Sequence, residues 1–105
     1  MKSFVSVLAL AISLGAATSA QANEAIIKKA RCVACHAVDK KLVGPAYKDV
    51  AEKYRGDTAA AGKLAAKIRH GGAGVWGEIP MTPNGPDKIN DADLALAVEW
   101  ILSLK

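Results

Sequence analysis

Two cysteines and a histidine carry the most specific chemistry in this chain of 105 residues. Cys32, Cys35 and His36 form the pattern C-x-x-C-H, which is the attachment signature of c-type haem. Two intervening residues on a helical turn let both thiols reach one edge of a porphyrin and add across its two vinyl groups. The adjacent histidine then projects onto the iron as proximal ligand, and a sixth ligand is still needed. The spacing therefore predicts one covalently attached haem c, with its iron, as the cofactor.

Other uses of a C-x-x-C pair fit the rest of the chain less well. A thioredoxin-like redox pair needs βαβ units, and the sequence has almost no alternating strand pattern. A zinc site needs a second ligand pair at short spacing, but there are no further cysteines and His70 stands alone. A disulfide across two residues closes a very small loop and constrains the chain little. These comparisons favour haem attachment.

The N-terminus has the organisation of a secretory signal peptide over residues 1–22. Lys2 supplies a short positive region, residues 4–14 are almost entirely apolar, and residues 20–22 match an A-x-A cleavage site. The apolar run is short for a membrane span of ~20 residues. We expect cleavage after this site, with export to the periplasm and one monohaem domain over residues 23–105. An uncleaved N-terminal anchor is the alternative.

The charge of the chain gives no indication of a nucleic-acid role. The formal net charge is +4, and loss of Lys2 with the leader lowers it to +3. A modest basic excess is usually a solvated surface, and two haem propionates would offset much of it. The hydrophobic content of 51% is inflated by the leader. Because small domains struggle to build a sufficient core from side chains alone, an apolar porphyrin would fill that gap.

Apolar periodicity with Gly and Pro between the segments predicts four helices. The first helix is predicted to begin after a cap at Asn23, and the second at Pro45, which occupies its first position. The third is predicted to begin at residues 57–58, and the fourth after a cap at Asn90. The residues predicted to be buried are Ile26, Ile27 and Ala30; Tyr47, Val50, Ala51 and Tyr54; Ala61, Leu64, Ala65 and Ile68; and Leu94, Ala97, Val98, Ile101 and Leu102. Residues 71–87 have no helical period, and a loop of that length in a small domain is usually functional or disordered.

Met81 is the candidate for the sixth ligand. The chain has two methionines, and because Met1 leaves with the leader, Met81 is the only one in the predicted mature domain. It lies between two prolines in the segment without helical period. His/Met ligation raises the reduction potential relative to other axial sets. The alternatives are a gap-filling core methionine and a bis-His site with His70, whose position at a helix end also has a simple electrostatic explanation.

Three separated motifs resemble those of the small bacterial class I cytochromes c, of the cytochrome c-551/c-552 type. They are CVACHA at 32–37, VGPAYKDV at 43–50 and GVWGxIPM at 74–81. The resemblance implies an all-α class I cytochrome c fold, with about four short helices around one haem. It also implies a monomeric, soluble electron carrier of the periplasm that is not an enzyme and has no stable membrane insertion.

The resemblance also implies roles for the residues near the iron. His36 is the proximal ligand, and its other ring nitrogen donates to the Pro45 carbonyl, which fixes the tautomer. Met81 is the distal ligand, with the Asn84 side-chain amide near its sulfur. An asparagine before a glycine is also a common turn former, so a local role for Asn84 stays open.

At the propionates, the resemblance implies an indole N–H donated by Trp76. Lys67 or Arg69 also approaches a propionate, and the sequence does not choose between them. Trp76 has an alternative role in the core, although a buried indole N–H usually needs a partner.

The resemblance implies redox proteins as partners: a quinol-oxidising complex upstream, and a terminal oxidase, nitrite reductase or peroxidase downstream. Basic side chains around an exposed haem edge would steer acidic partners; the candidates are Lys28, Lys29, Lys40, Lys41, Lys48, Lys53 and Arg55. Two alternatives remain open at this point. One is an open-site or bis-His haem protein of peroxidase-like or gas-sensing type, and the other is a haem subunit of a larger oxidoreductase.

Overall fold

The computed structural model describes the backbone of residues 17–105 and the side chains from residue 23 onward. The predicted cleavage and the side chains of the leader at 1–22 lie outside the described residues. The elements are α1 (Ala17–Lys29), a 3₁₀ turn (Cys32–Ala34), α2 (Tyr47–Lys53), α3 (Ala60–His70), β1 (Gly72–Gly74), β2 (Gly77–Met81) and α4 (Asp91–Ser103). No helix in this part of the chain combines the length and the apolar content that a membrane crossing needs.

Helix α4 is the element against which the other three helices pack. Its apolar stripe is buried as predicted, with Leu94, Ala97, Val98 and Ile101 inside and Leu102 half-buried. This stripe forms one core cluster with residues of the other helices and of the loop before α4: Ile27, Ala30, Tyr47, Val50, Leu64 and Ile89. The core therefore joins all four helices through the C-terminal one.

The start of α4 matches the predicted cap. The Asn90 side chain accepts a hydrogen bond of 2.8 Å from the backbone N–H of Asp93. Asp91 and Asp93 lie in the first turn, where negative charge interacts favourably with the helix dipole. One sequence position thus fixes where the central helix begins.

The starts of α1 and α2 differ from the prediction. Helix α1 runs through Asn23 because the alanine-rich residues before it favour helix and contain no break. Helix α2 begins at Tyr47 instead of Pro45, since the carbonyl of Ala46 accepts the first helical bond, from Val50, at 3.1 Å. The carbonyl of Pro45 therefore stays outside the helix and is free for another partner.

Helix α3 also starts later than predicted, at Ala60. Asp57 accepts a hydrogen bond of 2.8 Å from the N–H of Ala59, which closes a turn before the helix. The buried alanine is Ala60, whereas Ala61 is exposed, because Ala60 lies four residues before Leu64 and shares its face. Ile68 is half-buried on the same helix.

The segment predicted to lack regular structure contains a small antiparallel hairpin. Gly72 pairs with Met81 and Gly74 with Gly77, with an irregularity between the two pairs. The hairpin was missed because it is rich in glycines at positive φ, and its residues do not alternate between apolar and polar. The prediction of an all-α architecture is confirmed, with this hairpin as a minor addition that positions Met81.

Replacing the cap residue of α4 tests how much this helix start contributes to stability. We expect Asn90→Ala to lower the free energy of unfolding by about 1 kcal/mol, because the Asp93 N–H loses its acceptor. Urea unfolding of the haem-containing protein, followed by circular dichroism, measures the change. Asn90→Ser keeps an oxygen at the cap and should stay close to the wild type; equal losses in both variants would contradict the capping role.

Candidate haem site

An apolar cavity lies beside the 3₁₀ turn and between the helices and the hairpin. It is partly open to solvent. The helices contribute apolar side chains, and the hairpin contributes most of residues 72–81; the helical lining includes Ile27, Val50, Leu64, Ile68, Ala97 and Ile101. A largely apolar, open-sided cavity is typical of a cofactor site.

The two cysteines lie at different depths beside this cavity. Cys32 is half-buried and lines the cavity, whereas Cys35 is exposed, and both are free thiols. The backbone N–H groups of Cys35 and His36 both donate to the carbonyl of Cys32, at 3.1 and 3.0 Å, and so form a tight turn. Burial raises the pKa of the Cys32 thiol, which keeps it protonated near neutral pH. The turn thus holds the two cysteines close together, with Cys32 in the cavity lining.

His36 lines the same cavity, and its orientation is fixed by its neighbours. Its Nδ1 donates a 2.9 Å hydrogen bond to the carbonyl of Pro45, the bond expected from the sequence. The ring stacks on Tyr47 with centroids 4.9 Å apart, and Tyr47 in turn meets the edge of Trp100. Because Nδ1 carries the proton, Nε2 keeps its lone pair for a metal.

Gly44 lets the chain approach the face of this imidazole. A Cβ built on Gly44 would collide with Cε1 of His36 and would lie only 2.8 Å from Nδ1 and 2.9 Å from Nε2. No larger residue fits here without moving the ring. The sequence does not indicate this role, because the contact with His36 depends on how the intervening turn folds.

Met81 ends β2 and also lines the cavity, where it is half-buried. Gly71, at φ +70°, allows the chain after the methionine to pass close to the end of α3. A Cβ on Gly71 would collide with the Met81 carbonyl and lie 2.9 Å from the Pro83 nitrogen. His70 is exposed at the end of α3, and of the two histidines it is His36 that lines the cavity.

The Asn84 side chain makes hydrogen bonds that the sequence did not indicate. It is buried, and its amide donates to the carbonyls of Ile68 and Thr82, each at 3.2 Å. Asn84 lies beneath the end of α3, where its backbone N–H also donates to the carbonyl of Ile68, at 3.0 Å. The expected proximity of this amide to the Met81 sulfur stays a prediction.

The residues expected to contact the haem propionates differ in whether they line the cavity. Trp76 and Lys67 line the cavity, and the ammonium of Lys53 lies 5.7 Å from the centroid of the Trp76 ring. Arg69 instead donates to the carbonyls of Asn84 and Ile89 and to the carboxylate of Asp91. The geometry therefore favours Lys67 over Arg69 at a propionate. The partners of Arg69 are 15 to 22 residues away, too far for the sequence to indicate them.

Comparison with known proteins gives the family. The sequence model described as Cytochrome c matches residues 20–105. Cytochrome c-551 of Allochromatium vinosum is 50% identical over 88 residues, covering 84% of this chain and 92% of that protein. Cytochrome c-552 of Hydrogenobacter thermophilus is 45% identical over 105 residues, covering both chains completely. The crystal structure of Nitrosomonas europaea cytochrome c552 matches with a TM-score of 0.73 and 50% identity, over 78% of this chain and 99% of that one.

The chain belongs to the cytochrome c family. Family membership confirms the class I cytochrome c fold, a covalently attached haem c with its iron, and the role of a small electron carrier instead of an enzyme. The described residues fit this group, because an apolar cavity, a half-buried thiol and an imidazole with a free Nε2 meet at one place.

Two glycine variants test whether the space beside His36 is required. Gly44→Ala should destabilise the protein by about 1–3 kcal/mol and change the haem absorption spectrum, because the new methyl group displaces the imidazole. Gly62→Ala is the matched control: this α3 glycine has open space around it, so alanine should stabilise by about 0.5–1 kcal/mol. Thermal unfolding and the absorption spectrum measure both. A Gly44→Ala protein with wild-type stability and spectrum would show that the contact with His36 is unimportant.

Proposed function

We propose that this cytochrome c is a periplasmic one-electron carrier whose iron is ligated by His36 and Met81. The observation that carries the proposal is that both side chains line one apolar cavity, which also contains Cys32. The hydrogen bond from His36 to Pro45 supports a metal-binding Nε2. The predicted signal peptide at residues 1–22 supports the periplasmic location.

Each of these residues has a separate task in the proposed site. Cys32 and Cys35 would hold the porphyrin through thioether bonds, and His36 Nε2 and the Met81 sulfur would ligate the iron. When bound, the haem supplies a one-electron couple. The apolar walls would exclude water from this couple. Trp76 would donate its indole N–H to a propionate, and the ammonium of Lys67 would offset propionate charge.

An exposed apolar patch beside the attachment turn supports docking of redox partners. Val33, Leu42 and Val43 are each 41 to 52% exposed, although all three are large apolar residues. They lie on segments joined by a 2.7 Å hydrogen bond from the Gly44 N–H to the Cys35 carbonyl. The patch therefore lies next to the edge where the haem is attached, where electrons would leave or enter.

Basic side chains next to this patch would orient acidic partners. Lys40 and Lys41 are exposed, and Lys41 forms a backbone bridge with His36. The partners that we propose are a quinol-oxidising complex as donor and a terminal oxidase, nitrite reductase or peroxidase as acceptor. Charge would speed the encounter, and apolar contact would hold the complex briefly.

Removing the methionine thioether tests the axial ligation. Met81→Ala should keep covalent haem, lose the weak red-region sulfur–iron band of the oxidised protein and bind added imidazole. Its reduction potential should fall by on the order of 100 mV, within the roughly 0.8 V range that axial ligands set. Spectroscopy and potentiometry of the purified protein measure these changes.

His70→Ala is the matched control, because His70 is exposed and away from the cavity lining. It should keep the band and the potential of the wild type. If the His70 variant loses the low-spin spectrum and the Met81 variant keeps it, ligation is bis-His and the proposed site is wrong.

The contribution of the basic residues can be measured with an anionic redox probe. The double variant Lys40→Gln/Lys41→Gln should react about threefold more slowly with hexacyanoferrate at low ionic strength, because attraction is reduced. The difference should disappear at high salt, where charges are screened. Lys63→Gln is the control, since Lys63 on α3 is paired with Asp57 in the turn before that helix. A double variant as fast as the wild type at low salt would exclude steering by these lysines.

A further inference from the structure

Arg69 does not line the haem cavity and instead makes a hydrogen-bond network within the protein. Its side chain is only 15% exposed. One guanidinium nitrogen donates to the carbonyls of Asn84, at 2.9 Å, and Ile89, at 2.7 Å. The other donates to the Asp91 carboxylate at 2.6 Å. A single side chain on α3 thus joins the segment after Met81 to the start of α4.

The neighbouring residue on α3 holds the same segment. The carbonyl of Ile68 accepts from the backbone N–H of Asn84 at 3.0 Å and from its side-chain amide at 3.2 Å. We call Ile68, Arg69 and Asn84 the methionine clamp. Asn84 lies three residues after Met81, so the clamp fixes the chain on the C-terminal side of the axial residue.

The components of the clamp differ in their expected strength. The Asp91 carboxylate is 96% exposed, so water and salt weaken its ion pair with Arg69. The two carbonyls are bound by a charged donor that is largely shielded from water, and such hydrogen bonds are strong. The two carbonyl bonds should therefore account for most of the effect of Arg69.

We propose that Arg69 is a positioning residue for Met81. By holding Asn84 against α3, it keeps the thioether near the iron and limits its replacement by external ligands. This inference rests on the proposed His36/Met81 ligation. A purely structural role, in which Arg69 only joins α3 to α4, predicts lower stability without a change in ligand exchange.

Imidazole binding to the oxidised, haem-containing protein separates the two roles. Arg69→Gln should bind imidazole about tenfold more tightly, which corresponds to ~1.4 kcal/mol, because the methionine competes less well. Arg69→Lys retains a charge but not the fork of donors, and should show an intermediate, about threefold, change. Asp91→Asn should remain within about twofold of the wild type, because its pair is exposed.

Two controls account for general destabilisation and for loss of charge. Val98→Ala removes buried volume from α4 at a residue that does not line the haem cavity. It should lower the thermal midpoint and leave the imidazole affinity within about twofold of the wild type. Arg55→Gln removes an exposed arginine outside the clamp. It should change neither the thermal midpoint nor the imidazole affinity. If the Arg69→Gln protein does not fold, the imidazole affinity of Arg69→Lys is compared with those of the wild type and Val98→Ala instead.

The outcomes distinguish failure of this inference from failure of the proposed ligation. A wild-type oxidised protein without the sulfur–iron band would overturn both. With the band present, an Arg69→Gln protein that binds imidazole like the wild type, or no more tightly than Val98→Ala, would overturn the clamp alone. Tighter imidazole binding confined to the Arg69 variants supports the positioning role.

Discussion

The fixed orientation of the His36 imidazole is the constraint on which the rest of the site depends. Its Nδ1 is held by the Pro45 carbonyl, Gly44 lies against the ring, and Tyr47 stacks on it. Pro45 can serve as acceptor because α2 begins two residues later and does not use its carbonyl. The start of a short helix therefore decides the direction of the Nε2 lone pair that binds iron in the proposed site.

The same helices form the protein core and the cavity wall. Leu64 and Ile101 belong to the buried cluster and also line the cavity. Because a small domain has little apolar surface to bury, a porphyrin held in this cavity would complete the core. Any ligand that binds only the folded chain stabilises it, so haem attachment and folding should reinforce each other in this protein.

The sequence was sufficient for features with a local pattern. C-x-x-C-H, the Asn90 cap and the apolar stripe of α4 each depend on residues within a few positions, and family membership confirms the fold and the haem they indicated. The amide of Asn84 and the network of Arg69 could not be predicted, because their partners are brought together only by the packing of α3 against the loop. The hairpin was missed for a related reason, since its glycines carry no alternating pattern.

The two sides of the proposed haem site are built differently. On the His36 side, backbone groups and stacked rings hold the imidazole, and its attachment turn is adjacent in sequence to both cysteines. On the Met81 side, a glycine-rich hairpin leads to the methionine, and hydrogen bonds from α3 hold the chain that follows. Local opening favours elements with few buried contacts. In the proposed site, the bonds from α3 therefore support the side that is less firmly held by its own element, and the Met81 position depends on them.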